Sequence, residues 1–169
     1  MAGPCMLSDG VVFLREITTA DIPLLFEWRN ETETRPLFRD ERPLQFDKHT
    51  GFIESHLANP HRDYWWIIEA GNEPVGTIAL YGFTADRRAC EFGRFIIGRS
   101  HRGAGYGHRA LRLAMSVARS LGVERLSCEV LSSNDLAMGL YSSLGFAVKG
   151  VEVTGRRSFV LMENDLNRP

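Results

Sequence analysis

Phe95-Ile96-Ile97-Gly98-Arg99-Ser100-His101-Arg102-Gly103-Ala104-Gly105-Tyr106-Gly107 is the stretch on which the fold of this chain turns. Its apolar start closes a strand-like run from Cys90, and beyond it Ala110, Leu111, Ala114, Met115, Val117, Ala118 and Leu121 recur at helical spacing. Between the two, Gly103, Gly105 and Gly107 leave backbone amides unshielded where a helix begins. A helix N-terminus carries roughly half a positive charge, so such a loop suits phosphate without lysines. In this reading the amides of Gly103, Ala104, Gly105, Tyr106, Gly107 and His108 donate to a pyrophosphate, with Arg102 adding a side-chain cation. The competing reading is an ordinary strand-to-helix turn, because short glycine strings arise by accident in about a few per cent of chains this long. No Gly-Lys-Ser/Thr follows, and the spacing is not G-x-G-x-x-G, which disfavours kinase-type and dinucleotide-type loops.

A second motif lies downstream. Strand-like Arg125 to Leu131 runs into Asn134-Asp135-Leu136-Ala137-Met138-Gly139-Leu140-Tyr141-Ser142-Ser143-Leu144-Gly145-Phe146. Asn134 or Ser133 can cap a short helix, Leu136, Leu140 and Leu144 are expected on one face, and Gly145 can end it. With both segments in view, the chain resembles the GNAT acetyltransferase superfamily, in the branch with nucleotide-sugar amine and ribosomal-protein N-terminal acetyltransferases. That family's loop reads [R/Q]-x-x-G-x-[G/A], followed a strand and helix later by N-x-x-A-x-x-x-Y-x-x-x-G-F. Asn134, Ala137, Tyr141, Gly145 and Phe146 match the second pattern. The resemblance covers Phe13 to about Met162, with residues 90 to 148 carrying most of it. It implies acetyl-CoA as cosubstrate, the backbone of Phe95, Ile96 and Ile97 along the pantetheine arm, and Asn134 further in. The side chains of Phe95, Ile96 and Ile97 are expected in the core.

Acetyl transfer needs a neutral amine, a polarised thioester carbonyl and a proton for the departing thiolate. A phenol keeps its proton at neutral pH, and the resemblance gives Tyr141 the acid role. The alternative is a core tyrosine. Glu91 stands where many family members carry a base acting through water. Because side chains alternate along a strand, one residue of offset would turn it from the cleft and leave a solvated carboxylate.

Acceptor recognition falls to the amino-terminal part. Trp28-Arg29-Asn30, then Arg35, then a helix that His49 begins is similar to family members that acetylate nucleotide-linked amino sugars, and less closely to those that modify protein amino termini and to antibiotic-modifying relatives. Arg29 and Arg35 suit phosphates, and Trp28 or Phe38 suits stacking. In the structural alternative Leu24, Leu25 and Trp28 face the sheet, and the arginines pair with Glu27, Glu31 or Glu33.

Composition agrees with one domain spanning residues 1–169: 44% of residues are hydrophobic, enough for a sizeable core. A net charge of −1 gives no cationic field for nucleic acid, and no segment approaches a membrane span, so a cytoplasmic protein is expected. Cys5, Cys90 and Cys128 read as reduced thiols, and the histidines show no ligand spacing, so no metal is expected. The element order is strand 11–16, helix 20–30, an irregular stretch 31–46, helix 48–59, strands 64–70, 74–83 and 90–98, helix 106–121, strand 125–131, helix 135–144, and strands 146–153 and 157–163. This describes an α/β (mixed α+β) fold. The resemblance makes it a twisted, mostly antiparallel sheet of about seven strands flanked by four helices. The last two strands are expected at an edge, where they could pair two chains into a homodimer. The expected activity is acetyl transfer from acetyl-CoA to a primary amine of a small molecule, an amino sugar linked to a nucleotide. A protein N-terminal acetyltransferase and a non-catalytic coenzyme A-binding module are the alternatives.

Overall fold

The computed structural model describes residues 7–60 and 62–168, so Cys5 and His61 lie outside it. The chain runs β1 (Leu7–Ser8), β2 (Val12–Glu16), α1 (Ile22–Asn30), α2 (Phe46–Ala58), β3 (Tyr64–Ala70), β4 (Glu73–Tyr81) and β5 (Ala89–Ile97). It continues through α3 (Tyr106–Ser120), β6 (Arg125–Leu131), α4 (Asp135–Ser143), β7 (Ala147–Thr154) and β8 (Arg157–Asp165). One sheet forms in the order β1-β2-β3-β4-β5-β6-β8-β7, antiparallel at every junction except β5–β6. The mixed, mostly antiparallel sheet with four helices is as expected, and the short β1 brings the strands to eight.

Alternation along the strands divides the core in two. Trp66, Ile78, Leu80, Cys90 and Phe92 face α3 and α4, where Ala110, Leu111, Ala114 and Tyr141 join them. Trp65, Ile67, Ala79 and Ile96 face α1 and α2, meeting Leu25, Trp28 and Ile53. Trp65 and Trp66 therefore point to opposite faces, and both are buried. The start of α1 is held by Asp21, whose carboxylate accepts from the Thr18 amide at 2.7 Å and from Arg15 Nη1 and Nη2 at 3.0 and 2.9 Å.

Two expectations need correction. The buried stripe of α4 is not built on Leu136, which is 84% exposed; Ala137, Leu140 and Tyr141 pack inward instead. The Asn134 side chain caps the helix by accepting from the Ala137 amide at 3.2 Å, and that sets the phase of the first turn. Nor do the last two strands share the edge. β8 inserts between β6 and β7, which leaves β7 alone at that border with Val148, Val151 and Val153 exposed.

Two irregularities in β5 shape the middle of the sheet. β5 and β6 pair in parallel only at Ala89↔Arg125, Cys90↔Leu126 and Glu91↔Ser127, although both strands run on. Beyond that point they splay into a wedge. On the β4 side the register shifts so that Gly93, Arg94 and the residues up to Ile96 oppose only Thr77 to Ala79. This bulge holds Arg94 at φ +47, a conformation most side chains avoid.

Candidate active site

The glycine loop is built as a cradle of amides. Gly103 and Gly105 take φ +81 and +78, and a Cβ at either would meet nothing within 4 Å. Backbone conformation rather than crowding therefore calls for glycine here. The Gly98 carbonyl receives the His101 amide and the Gly105 carbonyl receives that of Arg109. Between them, no amide from Gly103 to His108 donates to an acceptor among the described residues. Six consecutive N–H groups at the start of a 15-residue helix fit a pyrophosphate. Gly107 instead serves packing, since its Cβ position lies 3.4 Å from Phe95 and 3.5 Å from Ile97 and so lets α3 sit tightly on β5.

Arg102 is engaged elsewhere. Its guanidinium donates to Glu31 Oε2 at 3.0 Å, Glu33 Oε2 at 3.1 Å, Thr34 Oγ1 at 3.0 Å and the Ile97 carbonyl at 3.0 Å. The expected phosphate cation is thus a tie between the loop and the segment after α1. Phe95, Ile96 and Ile97 behave as expected of their side chains, Ile96 in the α1/α2 core and the other two against the α3/α4 core. Their strand borders the wedge, which leaves its backbone open to an extended ligand.

Tyr141 reaches the wedge from α4. Its ring packs edge-on against Phe92 at 5.1 Å and stacks at 6.4 Å on Phe95, and its hydroxyl bonds no group among the described residues. Burial holds its pKa well above the ordinary phenol value, so the proton stays on. Glu91, opposite Tyr81 in the β4–β5 register, lies on the α1/α2 face. Burial, and then the nearby Glu129 carboxylate, raises its pKa. Tyr81 lies over the bulge; a Cβ on Gly93 would come within contact of its hydroxyl and ring.

A roof covers this face. Residues 31–45 cross from the Arg102 tie to the far strands, where Arg39 Nε donates to Glu129 at 2.6 Å and Nη2 to Glu152 at 2.7 Å. Arg157 donates to the carbonyls of Pro36, Phe38 and Arg39. Of the expected acceptor residues, Trp28 is core, lying beneath Gly98. Asn30 fastens the roof, accepting from the Leu44 amide at 2.7 Å and donating to its carbonyl. The arginines do not pair with Glu27, Glu31 or Glu33. Arg29 Nη2 donates to the Asp40 carbonyl at 2.7 Å and its guanidinium stacks at 3.9 Å on Phe38. The Arg35 side chain has no hydrogen bond or ion pair among the described residues. Arg29 Nη1, Arg35 Nε, His49 Nε2 and Thr50 Oγ1 are buried without partners. Burial lowers the pKa of Arg29, Arg35 lowers it further, and burial with Arg29 lowers that of His49.

Burial pushes the thiols of Cys90 and Cys128 up to about 12, which makes them poor nucleophiles. No group of three or more His, Cys, Asp or Glu placed to hold a metal occurs among the described residues.

A backbone cradle, a splayed strand pair beside it and a phenol in the wedge make a site for a thioester with a pyrophosphate tail. Residues 12–147 match the acetyltransferase (GNAT) domain family. The chain belongs to the GNAT acetyltransferases. Spermidine N(1)-acetyltransferase of Escherichia coli K12 is 25% identical to this GNAT chain over 146 residues, covering 86% of it and 77% of the relative. An uncharacterized protein of Methanocaldococcus jannaschii is 23% identical over 144 residues, but the chain spans only 28% of that longer protein. The solved spermidine N-acetyltransferase of Vibrio cholerae with CoA and spermine superposes at TM-score 0.84 and 19% identity, covering 94% of this chain and 97% of that one. Ribosomal L7/L12 alpha-N-protein acetyltransferase with coenzyme A gives 0.83 at 13% identity, covering 95% and 98%. At these identities the superpositions speak for the GNAT fold.

Tyr81 and Arg94 at the bulge and Arg39 and Arg157 at the roof are not revealed by the motifs. A glycine inside a strand, Gly93, is the one local sign that β5 bulges there.

Proposed function

We propose that this acetyl-CoA-dependent N-acetyltransferase acts on the primary amine of a small molecule carrying anionic groups, an amino sugar linked to a nucleotide being the leading acceptor. The reading rests on one observation: Arg29, before the roof, and Arg35, within it, each bury a donor without a partner, close enough for Arg35 to depress Arg29. Desolvated guanidiniums brought together favour an incoming anion, and phosphate answers that geometry. Of the carboxylates a polyamine acceptor could meet, Glu129 and Glu152 are held by Arg39. We place the protein in the cytoplasm as one domain, with the exposed β7 edge as the surface through which two chains pair.

Acetyl-CoA supplies the acetyl group as a thioester and leaves as a thiol. The amides of Gly103 to His108 hold its pyrophosphate, the β5 backbone at Phe95 to Ile97 orients its arm, and Asn134 lies beside the wedge. Glu91 takes a proton from the acceptor nitrogen as the N–C bond forms, and its raised pKa strengthens it as a base. Tyr141 gives its proton to the sulfur as the C–S bond breaks and recovers one from solvent.

Calorimetric titration with acetyl-CoA, followed by thiol-release assays, tests this reading. Nucleotide-linked amino sugars should turn over faster than free amino sugars, spermidine or peptides. Preference for spermidine or a peptide amino terminus would refute the acceptor. Cofactor binding with no turnover on any amine would leave a coenzyme A-binding module.

A further inference from the structure

We propose that Arg94 is the acceptor's anchor beside the reacting amine, and that it reads a carboxylate lying within a few ångströms of that nitrogen. The inference rests on the acetyltransferase reading above and names the chemistry of the acceptor's reacting end. Arg94 stands on the β5 bulge at φ +47, on the strand along which the thioester is held. Its guanidinium is enclosed by Trp65 and Tyr81, each 4.7 Å from its carbon, and by Phe52 at 5.2 Å. Such stacking fixes the plane of the group and leaves its edge donors unengaged. Asp63 Oδ2 pairs with Nη1 at 3.6 Å, an ion-pair separation beyond hydrogen-bond reach. Nη1 is buried with no hydrogen-bond partner.

A desolvated cation, strained on its backbone and lacking hydrogen bonds, is costly for the fold, and such strain concentrates at ligand sites. A planar carboxylate meets a guanidinium edge through two parallel bonds, a match that a phosphate or hydroxyl makes less completely. Lysine on the same stem would offer neither the planar edge nor the ring stacking. Around it Tyr81 and Trp65 are neutral, and His56 on α2 is held towards its neutral form by burial and by Arg94 against the pull of Asp63 and Glu16; Asp63, ion-paired to Arg94, is the carboxylate beside the box. Glu91 lies on the same face nearer the wedge, where it meets the amine rather than the carboxylate. The resulting pocket suits an amino acid or an aminosugar acid, with the cationic end towards Glu91 and the anionic end towards Arg94. A second ammonium at that place, as in a polyamine, would face the guanidinium.

The experiment compares thiol release for amino acids with that for their amides and decarboxylated amines, in the intact protein and in Arg94→Gln and Arg94→Lys. Acids should exceed amides in kcat/KM by about 10- to 100-fold, the loss expected for one charge-assisted contact. Arg94→Gln should erase that ratio while the acetyl-CoA affinity holds, and Arg94→Lys should restore part of it. Equal rates for acids and amides, or a preference that survives in Arg94→Gln, would overturn the proposal. Failure to bind acetyl-CoA would instead remove the acetyltransferase reading, and turnover confined to amines with no carboxylate beside the nitrogen would overturn this inference alone. Because selectivity is a ratio within each variant, loss of folded protein does not imitate the expected result.

Discussion

Gly105→Val separates the two readings of the glycine loop, a phosphate cradle and a plain turn. Gly105 has φ +78 and a Cβ there meets nothing within 4 Å, so valine brings conformational strain without a clash. The left-handed conformation costs an L-residue about 1–2 kcal/mol. At roughly 2–4 °C per kcal/mol for a chain of this size, the melting temperature should fall by about 2–8 °C. In the cradle, the new side chain stands where phosphate oxygens must approach the amides. Each charge-assisted bond lost is about 1.5–3 kcal/mol, so one lost amide weakens acetyl-CoA binding roughly 10- to 150-fold. A matched control exists at the far end of α3, where Gly122 has φ +82 and the same open surroundings. Gly122→Val should cost similar stability and leave affinity alone. Scanning calorimetry and titration with acetyl-CoA on both variants give the answer. Equal melting losses with unchanged affinity in Gly105→Val would show that the loop is only a turn.

Tyr141→Phe should lower kcat by about 100- to 10,000-fold with little change in acetyl-CoA affinity, read by steady-state kinetics and titration. Glu91→Gln should remove the acidic limb of the pH–rate profile; in the unaltered chain kcat/KM should fall as pH drops through the raised Glu91 pKa. Asp21→Asn should lose about 2 kcal/mol at neutral pH in denaturant titration, since Asp21 accepts from Arg15 and Thr18. Burial opposes ionisation of Asp21, but Arg15 and the Thr18 amide outweigh it and lower its pKa. Its contribution is therefore full above the unfolded value near 3.8 and fades as pH falls through the lower folded value, so the two proteins should converge in acid. Arg157→Ala frees the carbonyls of Pro36, Phe38 and Arg39, and should raise the acceptor KM and hasten proteolysis within 31–45 while sparing acetyl-CoA binding.

The geometry of the glycine loop and of the α4 cap is legible because its information is local. Three glycines, a helical repeat and an asparagine cap lie within about fifty residues, and each acts on its own backbone. Tyr141 is legible for the same reason, being placed by a cap seven residues before it. The acceptor half is not local. Arg39 meets Glu129 and Glu152 across 90 and 113 positions, and Arg157 meets the roof across about 120. Such pairs leave no period in the chain. Local pairing rules fail there in a specific way: Glu31 and Glu33 are drawn to Arg102, so Arg29 and Arg35 are left with other surroundings. Leu136 shows the same limit on a smaller scale, since a three-leucine stripe gives a face its phase only if the cap permits it.

The engagement of Arg102 joins the two halves. Its guanidinium binds the Ile97 carbonyl at the end of β5 and, through Glu31, Glu33 and Thr34, the start of the roof. With Arg102 so engaged, the loop's free amides are the groups proposed for phosphate, and they need no counter-charge and do not move. The roof is fastened near the cradle by Arg102 and beyond the wedge by Arg39 and Arg157, so it spans the acceptor face between fixed ends. A cofactor that drew Arg102 onto its phosphates would release Glu31 and Glu33 and loosen the roof at the moment the acceptor must come in. If Arg102 keeps its carboxylates, the acceptor must instead pass the α2 side, beside Phe52 and the Arg94 box. Amide exchange across residues 31–45, with and without acetyl-CoA, distinguishes the two: faster exchange on binding points to the first route, and unchanged protection to the second.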